Sequence, residues 1–113
     1  MNSIHPGSVL RNLMKSKCVM APGAFNGLVG RILSDQGYEA AYISGASLTT
    51  CSGVPDIGLM SIEGFTRVIN DVYYSSGLPI IADADTGFGE GEMCAWTVWE
   101  YNKAGAAGLH IED

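Results

Sequence analysis

Ser76-Gly77-Leu78-Pro79-Ile80-Ile81-Ala82-Asp83-Ala84-Asp85 reads as a helix end, a glycine turn and an apolar run that finishes in acids. A Gly just past a helix supplies the left-handed conformation that other residues resist, so Gly77 marks a helix stop. The same plan occurs twice more. Asp35-Gln36-Gly37 leads to Ala40-Ala41-Tyr42-Ile43-Ser44-Gly45, and Ala104-Gly105 leads to Ala107-Gly108-Leu109-His110-Ile111-Glu112-Asp113. The three glycines recur at intervals of roughly 30 to 40 residues, which suits a strand, a loop and a helix per unit.

The intervening segments carry helical periodicity. Ala24, Leu28, Val29, Ile32 and Leu33 recur at helical spacing, as do Ile62, Phe65, Val68, Ile69 and Val72 after Ser61 as N-cap. Met93, Trp96 and Trp99 mark a third apolar stripe, and Lys103 near its end suits the helix dipole. Cys18-Val19-Met20-Ala21 reads as a strand ahead of the first of these helices, and residues 7–15 as a short helix before it. The order is βαβαβαβ, with strands apolar on both faces, as a buried parallel sheet requires.

Such an order fits a doubly wound sheet or the first half of a (β/α)₈ barrel. The chain stops at Asp113, in or just past the fourth strand, and an open parallel sheet exposes an apolar edge that natural domains avoid. The expected fold is therefore α/β, the N-terminal half of a (β/α)₈ TIM barrel that closes at ~250 residues. Residues 1–17 are expected as an N-terminal segment, and residues 18–113 as the first four strands and three helices of the barrel domain.

Composition narrows the partners. A chain of 113 residues makes one small domain. Twelve acids against six bases, for a net charge of −6, exclude nucleic acid or an anionic membrane as main partner. No apolar run approaches the ~20 residues of a membrane span, and the N-terminus lacks a signal-peptide layout. Cys18, Cys51 and Cys94 form no CxxC pattern, which argues against a disulfide framework or a zinc site. A cytoplasmic protein is expected, or one of the mitochondrial matrix in a eukaryote. The first 17 residues, with Arg11, Lys15 and Lys17 and no acid, are too short and Arg-poor for a presequence.

The chemistry collects at the strand ends. Asp83 and Asp85 are two apart on a strand, so their side chains leave the same face, and His110 and Glu112 repeat that relation one unit later. In parallel α/β folds these ends open onto one catalytic surface. Asp56, in Gly53-Val54-Pro55-Asp56-Ile57-Gly58, can reach the same mouth. None of the six Lys and Arg residues sits at a strand end, so four converging carboxylates call for a cation. Oxygen ligands favour Mg²⁺ or Mn²⁺ over Zn²⁺. The competing reading is neutralisation by Arg or Lys from further chain.

Other features carry less. Ser44-Gly45-Ala46-Ser47 offers backbone N–H groups for a substrate carboxylate, and equally reads as a plain turn. Gly87-Phe88-Gly89-Glu90-Gly91 lacks phosphate-loop spacing and reads as a mobile loop or turn. His110 alone reads as a hydrogen-bonded interior histidine. Trp96 and Trp99 are expected to pack the helix, and no cysteine is assigned to catalysis.

Ala21-Pro22-Gly23-Ala24-Phe25-Asn26, Tyr42-Ile43-Ser44-Gly45, Val54-Pro55-Asp56-Ile57-Gly58, Ile81-Ala82-Asp83-Ala84-Asp85-Thr86-Gly87-Phe88-Gly89 and Ala104-Gly105-Ala106-Ala107-Gly108-Leu109-His110-Ile111-Glu112-Asp113 together resemble the isocitrate lyase / phosphoenolpyruvate mutase superfamily. The similarity is greatest to its 2-methylisocitrate lyase branch and runs from about residue 7 to the end. It implies a phosphoenolpyruvate/pyruvate-binding type of barrel, a homotetramer that exchanges a C-terminal helix, and Mg²⁺. By resemblance, Asp83, Asp85 and Glu112 match the metal-site carboxylates, and Asp56 an acid of the site's mouth. Tyr42, Ser44, Gly45 and Ala46 match the substrate-contacting strand end, where the family often has Gly in place of Ala46. His110 matches a histidine lining the site.

The resemblance implies a small-molecule carboxylate substrate and Mg²⁺-dependent cleavage of a 2-hydroxy tricarboxylate such as 2-methylisocitrate to pyruvate and succinate. The family's catalytic Cys, in a Lys-(Arg/Lys)-Cys-Gly-His motif, falls beyond Asp113. No catalytic residue is therefore assigned within this chain, and these 113 residues alone are expected to be inactive. The rival readings are a mutase or hydrolase of the same superfamily acting on phosphonopyruvate or oxaloacetate, and a non-catalytic truncated product.

Overall fold

The computed structural model describes residues 4–112. Asp113, the last residue of the expected final strand, lies outside them, as do the first three residues of the N-terminal segment. The elements are α1 (Pro6–Ser16), α2 (Gly27–Asp35), β1 (Ala41–Ile43), α3 (Gly45–Cys51), α4 (Ile62–Ser76), β2 (Ile80–Asp83), α5 (Glu92–Ala104) and β3 (Gly108–His110). The three strands form one parallel sheet in the order β1-β2-β3.

Local chemistry explains the helix bounds. The Ser61 hydroxyl accepts from the Gly64 amide at 3.3 Å and caps α4, satisfying a donor that the first turn otherwise leaves unpaired. Asn26 caps α2 in the same way through the Val29 amide at 2.8 Å. Gly77 and Gly105 end α4 and α5 in the left-handed conformation, with φ of 70° and 111°.

Two of the three expected apolar stripes pack differently from the expectation. On α4, Phe65, Ile69 and Val72 are buried as expected. On α2, Val29 and Leu33 pack on the core while Leu28 and Ile32 face outward, because α2 meets α4 through Gly30. A Cβ there would lie 2.9 Å from Val72 Cγ1, so the close crossing requires glycine. On α5 the expectation is reversed. Trp96 and Trp99 are 49% and 50% exposed and Met93 is exposed too, while Thr97, Tyr101 and Ala104 turn inward. The inner face was selected by hydrogen-bonding reach rather than apolarity. Thr97 and Tyr101 each donate to a backbone carbonyl beneath the helix.

The first expected strand is also corrected. Cys18–Ala21 is not a strand; pairing begins later, where Gly23 bridges Tyr42 in parallel. Tyr42 donates its amide to Pro22 O and Ala24 donates to Tyr42 O, both at 2.8 Å. Pro22 has no N–H to continue a ladder, so this edge is reduced to a bridge. Ser44–Ser47, which reads equally as a docking point for a carboxylate and as a plain turn, is the start of the short helix α3, capped by Ser44.

The sheet has two unlike faces. Ala41, Ile43, Ile80 and Ala82 are fully buried, in one core cluster with residues of α4 and α5, whereas Tyr42, Ile81 and Asp83 alternate onto the opposite, half-covered face. Full burial thus holds for one face only. The register sets Asp83 beside His110 and Tyr42 beside Ile81, so the polar strand ends share a face and an edge. Among the described residues no helix is long and apolar enough to cross a membrane.

Candidate cation and carboxylate site

Asp83 is the hub of the strand-end cluster. Its Oδ2 accepts the Gly45 amide at 3.0 Å, and its Oδ1 accepts the Asp85 amide at 2.8 Å. Its carbonyl accepts the Tyr101 hydroxyl at 2.8 Å. Three elements therefore fix one acid: α3 and the turn after β2 hold its carboxylate, and α5 holds its backbone. A donor atom from each of Asp83, His110 and Glu112 lies within 4.8 Å of the other two. His110 Nδ1 is 3.7 Å from Glu112 Oε1, and its Nε2 is hydrogen-bonded to the Tyr42 hydroxyl at 2.8 Å, with the two rings stacked.

Asp85 stands apart from that trio. The strand β2 ends at Asp83, and Asp85 adopts φ of 50°, a left-handed conformation that Asp tolerates better than most residues. The strand alternation expected to place Asp83 and Asp85 on one face therefore does not reach Asp85. Its amide is spent on Asp83, and its carbonyl accepts the Glu112 amide at 2.8 Å. Its side chain joins Asp56 and Asp83 along a narrow cleft of about 20 Å³ that Gly45, Thr49 and Phe65 also line. That volume holds about one water or small ion.

The remaining expected residues divide. Tyr42, Ser44 and Gly45 stand at the β1 end, with Gly45 touching the carboxylate and Ser44 capping α3 at 3.4 Å from the Ser47 amide. Ala46 faces outward, along a separate groove with Phe25, Thr50 and Cys51. Asp56 reaches the cleft from the loop after α3.

The electrostatics match the geometry. Among the described residues the ion pairs of Lys and Arg lie elsewhere: Lys17 with Glu39, Arg31 with Asp35 at 3.9 Å, and Lys103 with Glu100 at 3.5 Å. Burial, then the carboxylates of Asp83 and Glu112, push the Tyr42 hydroxyl above its ordinary range. Burial, then Asp83 and Asp85, push up the Tyr101 hydroxyl, so both phenols stay protonated and serve as neutral hydrogen-bonding groups.

The donor set suits a hard divalent cation. Carboxylate oxygens dominate, and each Asp83 oxygen accepts one N–H while retaining lone-pair capacity. Asp83, Glu112 and His110 would hold such an ion, with Asp85 and Asp56 adjoining.

Two supporting residues escaped the sequence reading. Thr97 Oγ1 contacts Gly87 O at 2.6 Å and Met93 O at 2.9 Å, tying α5 to the turn that carries Asp85. Tyr101 is wholly buried beneath Asp83. The available signal was the helical spacing of 97, 101 and 104 on one face, opposite the tryptophans.

Comparison with known proteins places this constellation. The chain is 40% identical over 109 residues to a 2-methylisocitrate lyase of Aeropyrum pernix, an alignment covering 96% of this chain and 35% of that protein. Its fold superposes on 2,3-dimethylmalate lyase, a member of the PEP mutase/isocitrate lyase superfamily, with a TM-score of 0.89 at 31% identity, covering 99% of this chain and 41% of that one. It superposes on a phosphonopyruvate hydrolase, solved with oxalate and Mg²⁺, with a TM-score of 0.91 at 29% identity, covering 97% and 39%. The chain thus spans about a third of the length of the 2-methylisocitrate lyase it matches. Its parallel sheet and helices correspond to the N-terminal part of the barrel fold of those enzymes. The phosphoenolpyruvate phosphomutase family model matches residues 10–113, and the chain belongs to that family.

Proposed function

We propose that the chain carries the carboxylate side of a divalent-cation site in a carbon–carbon lyase that cleaves a 2-hydroxy tricarboxylate such as 2-methylisocitrate to pyruvate and succinate. The observation that carries this reading is the convergence of Asp83, His110 and Glu112 donor atoms within 4.8 Å. The similarity to 2-methylisocitrate lyase supports the choice of reaction. A bound Mg²⁺ or Mn²⁺ would supply stabilisation of negative charge developing on a substrate oxygen.

The chain's own residues would do three things. Asp83 and Glu112 present oxygens to the ion. Gly45 and the Asp85 amide hold the Asp83 carboxylate still, so little reorganisation is needed when charge develops. Tyr42 orients His110 through a 2.8 Å hydrogen bond, leaving the imidazole edge on the side of Glu112 and the substrate mouth. The acid that protonates the succinate carbon is expected beyond Asp113, so turnover is a property of the whole enzyme, for which a homotetramer is proposed by resemblance.

Calorimetric titration of Mn²⁺ and Mg²⁺ into the protein tests the site. Asp83→Asn should weaken binding by more than ~10-fold; unchanged affinity sinks the assignment. Release of pyruvate from 2-methylisocitrate by the full-length enzyme tests the reaction. The similarity to phosphonopyruvate hydrolase favours a second reading in which a phosphonate or oxaloacetate is the substrate. Phosphate release from phosphonopyruvate, with no cleavage of 2-methylisocitrate, would decide for it.

A further inference from the structure

Phe88 keeps a backbone conformation that its side chain disfavours. The turn after β2 has positive φ at Asp85, Gly87, Phe88 and Gly89, with values of 50°, 92°, 61° and 152°. Glycine takes two of these positions at little cost, and Asp tolerates a third. A bulky residue there is an outlier. Such a conformation persists only where the surrounding structure holds it, and it gathers at functional sites. Packing alone does not call for an aromatic between two glycines in this region.

The half-buried ring belongs to an aromatic group beside the acids. Its centroid lies 5.3 Å from that of Phe65, edge to face, and 6.4 Å from that of Tyr101. Phe65 and Tyr101 are themselves 6.4 Å apart, so three rings close a triangle between α4, the turn and α5. Both neighbours touch the site. Phe65 lines the cleft of Asp56, Asp83 and Asp85, and the Tyr101 hydroxyl donates to Asp83 O at 2.8 Å. Packing against two aromatics offsets the backbone cost at Phe88.

The turn hangs from two anchors. Upstream, Ala84 is fully buried and its amide donates to His110 O at 3.0 Å. Downstream stands the Phe88 ring, with Gly87 O held by the Thr97 hydroxyl just before it. Asp85 lies in the span between the anchors, its side chain along the cleft. From this geometry we infer that Phe88 is a positioning residue. Its packed ring fixes the downstream end of the turn and thereby aims the Asp85 carboxylate into the cleft. The inference rests on the cation site proposed above and adds to it a residue that carries no ligand atom.

Mn²⁺ is titrated calorimetrically into the protein and its variants, with circular dichroism checking that each is folded. Phe88→Gly frees the backbone and removes the ring, and should weaken binding by at least ~10-fold. Phe88→Tyr keeps the ring and should stay within about twofold of the wild type. Phe88→Leu keeps apolar bulk and should weaken binding roughly threefold, so it replaces the glycine variant if that one fails to fold. The decisive comparison is made in the Asp85→Asn background. There the loss of the ring should weaken binding by less than about twofold, because the carboxylate it positions is already gone. A ring that only packs the core would lower affinity by the same factor in both backgrounds. Equal losses in the two backgrounds overturn the inference. So does a ring-deleted variant that binds as the wild type does, or a tyrosine variant that binds no better than the glycine one. If the wild type binds no Mn²⁺, or Asp83→Asn binds it equally well, the cation site itself falls, and this inference with it.

Discussion

Asp83 and Gly45 are locked together across the β1–β2 pair. The Gly45 amide donates to Asp83 Oδ2 at 3.0 Å, and a Cβ at position 45 would stand 2.7 Å from that same oxygen. The donor can approach so closely only because the residue has no side chain. A neighbouring aromatic, Phe65, closes the other side at 3.2 Å from the same point.

Gly45→Ala should therefore act on the site before it acts on the fold. The Asp83 carboxylate must rotate or the start of α3 must move, at a cost of about 1–3 kcal/mol. Calorimetry should show Mn²⁺ affinity falling by at least ~10-fold. An alanine variant with unaltered affinity would mean that the Gly45 amide plays no part in presenting Asp83.

Asp83 and Asp85 should prove unequal. Asp83 belongs to the three-donor cluster, whereas Asp85 lines the adjacent cleft with Asp56. Asp85→Asn should weaken cation binding by about 10–100-fold, as expected of a group acting beside the ion, and Asp83→Asn by more. Asn also tolerates the left-handed backbone at φ of 50°. Asp85→Ala should therefore lower thermal stability by roughly 1 kcal/mol more than Asp85→Asn. Equal affinity losses at 83 and 85 would contradict this ordering.

Thr97 is a tie between α5 and the acidic turn. Thr97→Val keeps the shape and leaves Gly87 O without its buried donor, which should cost about 1–3 kcal/mol. Thr97→Ser retains the hydroxyl and should recover most of the cation affinity lost in the valine variant. If serine and valine behave alike in Mn²⁺ titrations, the Thr97 hydroxyl is not what supports the site.

Alkaline pH should weaken the fold through Tyr101. Its hydroxyl is held protonated well above the ordinary range, by burial first and then by Asp83 and Asp85. An unfolded chain releases that proton near pH 10. Between those two values the unfolded state binds fewer protons, so stability present below pH 10 declines as pH rises, by up to ~1.4 kcal/mol per pH unit for one group. Urea melts at pH 9, 10 and 11 should show this decline, and it should be shallower in Tyr101→Phe. The same substitution leaves Asp83 O unpaired, so it should lower stability by about 1–3 kcal/mol at pH 7 as well.

Much of the scaffold was readable along the chain because it depends on local chemistry. Gly77 and Gly105 end helices since their backbone is left-handed, and Ser61 starts one since its hydroxyl meets a free amide. The parallel units and the gathering of acids at strand ends follow from the same repeated plan, with no distant contact needed. Cys18–Ala21 misled because Pro22 removes the donor that a ladder requires, a matter of pairing rather than propensity.

What the sequence by itself determined was the repeated helix, glycine and strand leading into β1, β2 and β3, and the presence of Asp83, His110 and Glu112 at neighbouring strand ends. Tertiary structure decided which of the acids meet. Asp85 falls outside the three-donor cluster and lines the adjoining cleft with Asp83 and Asp56, its backbone left-handed and its carbonyl accepting the amide of Glu112, a residue remote in sequence. It also decided which side of α5 faces inward. Burial there rewards a threonine and a tyrosine whose hydroxyls find carbonyl partners, and the more apolar tryptophans, with nothing beneath them to fit, are turned to the surface.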